Sequence, residues 1–150
     1  MESKKKKNEG KLFEADFKQS LLKIGWVAIR LKDDAKNFYG RNRNICDFIS
    51  YSYPHLYLLE LKSYNTNAIP LEKITQKDDL MKYTDVQGVR AGVVLNFRKF
   101  TRTFYLPVEK LDLITDRKSI TVAFCEEHGV EIPMTLNRTR YHYHFDILGE

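Results

Sequence analysis

Residues 45–62 read ICDFISYSYPHLYLLELK, two apolar runs separated by SYSYPH. In LYLLELK the aliphatic density and the aromatic mark a strand. A strand sends alternate residues to opposite faces, so Leu56, Leu58, Glu60 and Lys62 share one side. ICDFI alternates in the same way, with Ile45, Asp47 and Ile49 on one face, and the Ser- and Pro-bearing segment between the runs is turn chemistry. A hairpin whose turn is centred between Tyr53 and Pro54 sets Asp47 opposite Glu60, with Cβ atoms ~4.5–5.5 Å apart as for directly paired residues.

Two carboxylates at that separation raise each other's proton affinity unless a cation sits between them. Hard oxygen ligands favour Mg²⁺, with Mn²⁺ as a substitute, and such ions keep waters and take phosphate oxygens as further ligands. Lys62, a point charge beside the pair, is placed to hold an attacking water or to stabilise a phosphorane-like transition state. The constellation predicts phosphodiester hydrolysis. E-x-K alone arises by chance in most chains of this size, where it describes an amphipathic strand with a surface ion pair. The acid on the preceding strand, at the matching register, is what makes it specific.

Asp47 followed by Glu60-x-Lys62 resembles the D…E-x-K core of the PD-(D/E)xK nuclease superfamily. The wider sequence resembles the RecU-type Holliday junction resolvases and their phage-encoded relatives. AIPLEKITQ (68–76) is similar to the family's Pro-Leu segment leading to a glutamine on the next helix, and FYLP (104–107), RKSI (117–120) and EEHGVEIP (126–133) echo its C-terminal half, so the likeness covers about residues 10–147. The resemblance implies a single α/β domain of restriction-endonuclease-like fold, a mixed β-sheet flanked by helices. It implies Mg²⁺ held by Asp47, Glu60 and the Leu61 carbonyl, with help from Glu14 on the first helix, and Lys62 activating the water. It also implies a four-way DNA junction as substrate, cut by paired symmetric nicks that leave 5′-phosphates. A nearly two-fold substrate calls for two active sites, and hence a homodimer.

The remaining sequence is consistent with one domain. A chain of 150 residues that is 43% hydrophobic is long enough to bury a substantial core. It has no apolar run near 18 residues and no h-region after its charged start, which points to the cytosol, a bacterial one by the resemblance, and away from membranes. The resemblance to phage-encoded relatives, together with the compact length and basic tail, implies a phage gene. Cys46 and Cys125 form no metal spacing and sit in apolar surroundings, as buried reduced thiols do. A net charge of +5 favours an anionic partner. P-loop, dinucleotide-fold and nucleophile-elbow motifs are missing, so no small-molecule cofactor is expected.

MESKKKKNEG carries four consecutive lysines without an apolar anchor and predicts a disordered basic tail over 1–10, with the nuclease domain over 11–150. Phe13, Phe17, Leu21 and Ile24 recur at helical spacing, with Gly25 closing the helix and Glu14 at the border of the apolar stripe. WVAIRL (26–31) reads as a strand. The link after it, 32–44, holds Lys32, Lys36, Arg41 and Arg43 around Phe38 and Tyr39, a pattern suited to phosphates and exposed bases. In RecU-type enzymes an insertion at this place forms a stalk that enters the junction.

Thr75 with Asp78 resembles a capping box and predicts a helix over 76–87, which places Gln76 in its first turn, 14 residues past Lys62 and able to return to the site to orient water or phosphate. AGVVLNF (91–97) reads as a buried strand parallel to the Glu60 strand. A strand at TFYLP should lead into a short helix beginning near Pro107. A helix is expected from Ser119 to Gly129, then a last strand in RYHYHFDIL. Lys99 and Arg102, with Arg98, Lys110, Arg117 and Lys118, add positive charge along a DNA backbone. His128, His142 and His144 lack metal spacing. Two other readings survive at this level: an endonuclease of the same fold that cuts flaps or plain duplex, and a basic nucleic-acid-binding module without catalysis.

Overall fold

The computed structural model describes residues 2–31, 44–114 and 118–145, with the side chains of the first helix described from Glu9 onward. Phe13, Phe17 and Leu21 put a buried stripe on helix α1 (Glu2–Lys23) and pack it on the sheet against Phe48, Tyr57, Leu59 and Leu61. Gly25, at φ +80°, ends the turn: its N–H donates to the Leu22 carbonyl and the Trp26 N–H to the Leu21 carbonyl, each at 3.1 Å. This is the bond pair of a Schellman stop, which favours glycine at the left-handed position. The helix starts at Glu2, whereas composition predicts a disordered tail to residue 10. Lysine and glutamate are good helix formers, and Glu9 is anchored by an ion pair to Arg98.

Strands β1 (Val27–Arg30), β2 (Phe48–Ser52), β3 (His55–Tyr64), β5 (Val89–Phe97), β6 (Arg102–Pro107) and β8 (Val130–Ile132) form, among the described residues, a six-stranded sheet in the order β1-β2-β3-β5-β6-β8. Phe48 pairs with Leu59 and Ser52 with His55, so the turn is centred between Tyr53 and Pro54 as the alternation predicts. β3 and β5 run parallel from Leu56↔Val89 to Tyr64↔Phe97, while the other neighbours are antiparallel, and the sheet is mixed. A parallel pair needs a long crossover and both faces covered, which accounts for the unbroken apolar run of β5. Ala91, Val93, Leu95 and Phe97 enter the core on one face, and Val94 faces α1 on the other. Gly92 is required there: a Cβ would lie 2.5 Å from the Tyr105 ring and 2.8 Å from the Leu106 carbonyl oxygen.

The crossover between β3 and β5 carries β4 (Ala68–Pro70), a 3-10 turn (Leu71–Lys73) and α2 (Lys77–Met81). The expected helix over 76–87 is thus five residues long, and its Ncap is Gln76, one residue after the Thr75 that the capping-box pattern would place there; Gln76 makes no side-chain cap bond. The Thr84 hydroxyl donates to the Met81 carbonyl at 3.0 Å, and turns replace the helix from Lys82 to Gly88. Pro107 precedes the short helix as expected, here a 3-10 helix (Val108–Leu113). Ser119–Thr121 is a strand, β7, paired with β4, where a helix was expected to begin. The Thr121 hydroxyl caps α3 (Val122–His128) by accepting from the Phe124 N–H at 3.1 Å.

β9 (Met134–Asn137) and β10 (Arg140–Tyr143) make a separate hairpin that lies against α1. Asp16, buried in the middle of α1, accepts from Arg140 Nε at 2.5 Å and from the Tyr141 N–H at 3.1 Å. Ser20, one turn on, accepts from the Tyr143 N–H at 2.8 Å. The edge of β10 is thereby tied to α1, and Phe145 closes an aromatic cluster with Phe17, Trp26 and Tyr57.

Candidate active site

The alternation of β3 divides its side chains. Tyr57, Leu59 and Leu61 go under α1, while Leu58 enters the opposite core and Glu60 and Lys62 share its side. Asp47 immediately precedes β2, just outside the paired register that ends at Phe48↔Leu59, and its N–H donates to the Leu59 carbonyl at 2.9 Å, so it does not form the direct pair with Glu60 that the alternation predicts. The carboxylate Oδ2 accepts the Leu61 N–H at 2.8 Å. Leu61 carries its carbonyl on the same strand edge as that N–H, so a backbone oxygen faces the Asp47 side of β3.

Glu60 is 1% exposed, and Lys62 Nζ lies 3.4 Å from its Oε1. Its Oε2 accepts the Gln76 N–H at 3.3 Å. Burial raises the Glu60 carboxyl above the ordinary carboxylate range; Lys62 opposes that shift and Asp47 adds to it. Gln76 is itself buried. Its Nε2 donates to the Asn44 carbonyl at 2.9 Å, and its Oε1 is a buried oxygen with no hydrogen-bond partner among the described residues. The sequence placed Gln76 near this site by its distance from Lys62; the Asn44 carbonyl that orients the amide had no sequence signal.

Asp47, Glu60, Lys62, the Leu61 backbone and Gln76 are therefore brought together, and Glu14 is not grouped with them. It accepts from Arg30 Nε at 2.8 Å, on the helix that covers the other face of the sheet. Among the described residues no three His, Cys, Asp or Glu side chains stand close enough to hold a metal as a set. Lys99 is exposed, whereas Arg102 is held by both oxygens of Glu131 at 2.9 Å and by Glu126 at 2.7 Å, two strands from Glu60. Lys36, Tyr39, Arg41, Arg43 and Arg117 lie outside the described residues.

Cys46, beside Asp47, is buried with its thiol pushed up to about 11 by burial, and Cys125 is likewise buried and raised to about 12. Neither is a thiolate nucleophile at neutral pH. His144 bonds the Thr135 hydroxyl at 2.7 Å and His128 packs on Phe124.

No protein-family model matches the chain. It is 25% identical over 166 residues to the SPbeta prophage-derived uncharacterized protein YotM of Bacillus subtilis (strain 168), covering 94% of this chain and 85% of that protein. Among solved structures it is similar to Hjc of Archaeoglobus fulgidus, a Holliday junction resolvase from an archaeal hyperthermophile. There the TM-score is 0.59 and the identity 21%, over 81% of this chain and 95% of that one. The chain therefore has the fold of that resolvase, a mixed sheet flanked by helices in a single α/β domain.

Proposed function

We propose that the protein is a divalent-metal-dependent endodeoxyribonuclease that resolves four-way DNA junctions by paired symmetric nicks. The observation that carries this is a buried, proton-hungry Glu60 placed between Lys62 and the Gln76 N–H, beside Asp47, in a fold shared with a junction resolvase. The donor set is all oxygen, Asp47, Glu60 and the Leu61 carbonyl, and Gln76 Oε1, which has no partner among the described residues, stands beside it. That fits Mg²⁺ or Mn²⁺ held by two side-chain carboxylates, which leaves further positions for water and phosphate oxygens. A cation bound there supplies Lewis-acid charge to a phosphoryl oxygen and acidifies water.

The residues of the chain do the rest. Asp47 is fixed by the Leu61 N–H, so its second oxygen is aimed without further ordering. Lys62 holds the attacking water and offsets charge that develops on the phosphorane. Gln76 Oε1 accepts from that water and orients it, with the amide locked by Asn44. The product is a 5′-phosphate. One domain offers one such site, so cutting both strands symmetrically requires a homodimer. Among the described residues no helix is long and apolar enough to cross a membrane, and we place the protein in the bacterial cytosol. The prophage-derived relative fits a phage origin.

The deciding experiment incubates a four-way junction, a flap and a linear duplex of matched arms with Mg²⁺, Ca²⁺ or EDTA. Paired nicks in the junction with Mg²⁺ only are expected. Equal cutting of all three substrates would leave a general nuclease, and binding with no cutting under any metal would leave a binding module. Sedimentation with junction DNA should give two chains per junction.

A further inference from the structure

Phe100 stands on the turn between β5 and β6 and is 45% exposed, while Phe97 and Phe104 on the flanking strands are buried. The turn is tight. The Phe100 N–H donates to the Phe97 carbonyl at 3.1 Å and the Thr101 N–H to the Arg98 carbonyl at 3.2 Å, with Thr101 at φ 51°. An aromatic on so short a loop is held in place by backbone bonds and presents its ring to solvent.

The register fixes the level of the turn that carries the ring. Lys62 pairs with Leu95 and Tyr64 with Phe97, so the turn begins two residues beyond the level of Lys62 on the neighbouring strand. That is ~7 Å along the strand and ~5 Å across it, or about two to four base steps at ~3.4 Å each. The charge there is also suited to nucleic acid. Arg98 and Arg102 are held in ion pairs with protein carboxylates, but Lys99, next to Phe100, projects exposed, and Lys62 is partly exposed. Tyr53 is more exposed still, at 84%, but it sits at the other end of β3, between Ser52 and Pro54 with no cation adjacent.

We propose that Phe100 stacks on a splayed base of branched DNA a few nucleotides from the bond that is cut, with Lys99 on an adjacent phosphate. This rests on the nuclease reading above and deepens it. Base–aromatic stacking tolerates any sequence, because every base has a π-face. Intact duplex offers no free face, whereas a branch point does, so Phe100 supplies a preference for branched over linear DNA that the phosphodiester chemistry cannot.

The test uses four-way junctions with 2-aminopurine at successive positions from the branch point, bound in Ca²⁺, beside single-turnover cleavage in Mg²⁺. Wild type and Phe100→Trp should change the fluorescence at one position, Phe100→Ala should not, and a labelled duplex should stay unchanged with all three. Junction cleavage should fall about tenfold in Phe100→Ala, the lower part of the range for one stack, with duplex binding unaltered. Phe100 belongs to neither buried cluster, and Phe100→Trp keeps an aromatic at the position to control for lost packing. If wild type cuts junctions and Phe100→Ala matches it in fluorescence and rate, the stacking role is overturned and the nuclease stands. If wild type neither binds nor cuts any of the DNAs, the nuclease reading fails and takes this inference with it.

Discussion

The Gln76 N–H donates to Glu60 Oε2 at 3.3 Å, tying the start of α2 to a carboxylate that is 1% exposed. One backbone donor and one lysine at 3.4 Å leave this buried charge short of compensation, as its raised proton affinity records. The stability and chemistry of the site are therefore coupled through Glu60.

Glu60→Gln should melt higher than wild type in metal-free buffer at pH 8. A carboxyl raised in the folded state contributes stability that is fully present below its unfolded value, near 4.5, and lost as pH rises through the folded value. The amide carries no charge to bury, so a gain of about 1 kcal/mol, or ~2–4 °C for a chain of this size, is expected at pH 8 and none at pH 4. Added Mn²⁺ should raise the melting temperature of wild type only, since a ligand stabilises the state that binds it. Identical melting curves for the two proteins at pH 8, with and without Mn²⁺, would contradict this account.

Lys62→Ala should retain metal binding and lose turnover by about 10²–10³-fold, the range for removal of one electrostatic stabiliser of a transition state. Removing the ammonium also deletes the nearest cation from Glu60, so the pH at which Mn²⁺ binding reaches half its maximum should move upward. Calorimetry across pH measures the second effect independently of catalysis.

Gln76→Leu replaces a buried amide, whose Oε1 has no partner among the described residues, by an apolar side chain of similar volume. Stability without metal should change little, since relief of the buried Oε1 is offset by loss of the Nε2 bond to the Asn44 carbonyl. Metal affinity should fall about tenfold, as when a supporting oxygen is removed beside a metal. An unchanged affinity together with full activity would leave Gln76 a plain helix-start residue.

Arg41→Ala with Arg43→Ala should weaken junction binding in Ca²⁺ and flatten its salt dependence, by about 0.9 in the log–log slope for each phosphate that is no longer neutralised. Asp47→Asn should do the opposite, holding or raising affinity while turnover collapses, because it removes negative charge where phosphates approach. Equal losses of affinity in the two variants would rule out this division of labour.

The hairpin that carries Asp47 and Glu60 was legible because its information is local: a period of two in both strands and a turn whose centre sets the register. β5 was legible because burial on both faces leaves an apolar run. The helices were read less well. α2 stops after Met81 because the segment beyond it forms turns, and Ser119–Thr121 pairs with β4 at a distance of some fifty residues, which no local pattern announces. The pairing of Glu14 with Arg30 was hidden for the same reason. Helical spacing places an acid at the border of a stripe, and only the neighbouring strand decides which cation it meets. Arg102 looked like one more surface cation until Glu126 and Glu131 came beside it.

The bond between Asp16 and Arg140 spans 124 positions of the chain. At ~5–20 residues added per second, a ribosome takes roughly 6–25 s to supply the arginine after the aspartate. For that interval α1 carries, on the face that will be buried, a carboxylate without its partners. The bonds that tie α1 to β10 form only after the last hairpin has been made. The residues of the Asp47–Gln76 site are all synthesised early, but the layer that holds β3 from behind is completed only near the end of translation. In order of synthesis the residues of the candidate site thus precede the hairpin that ties α1 down behind the strand carrying two of them.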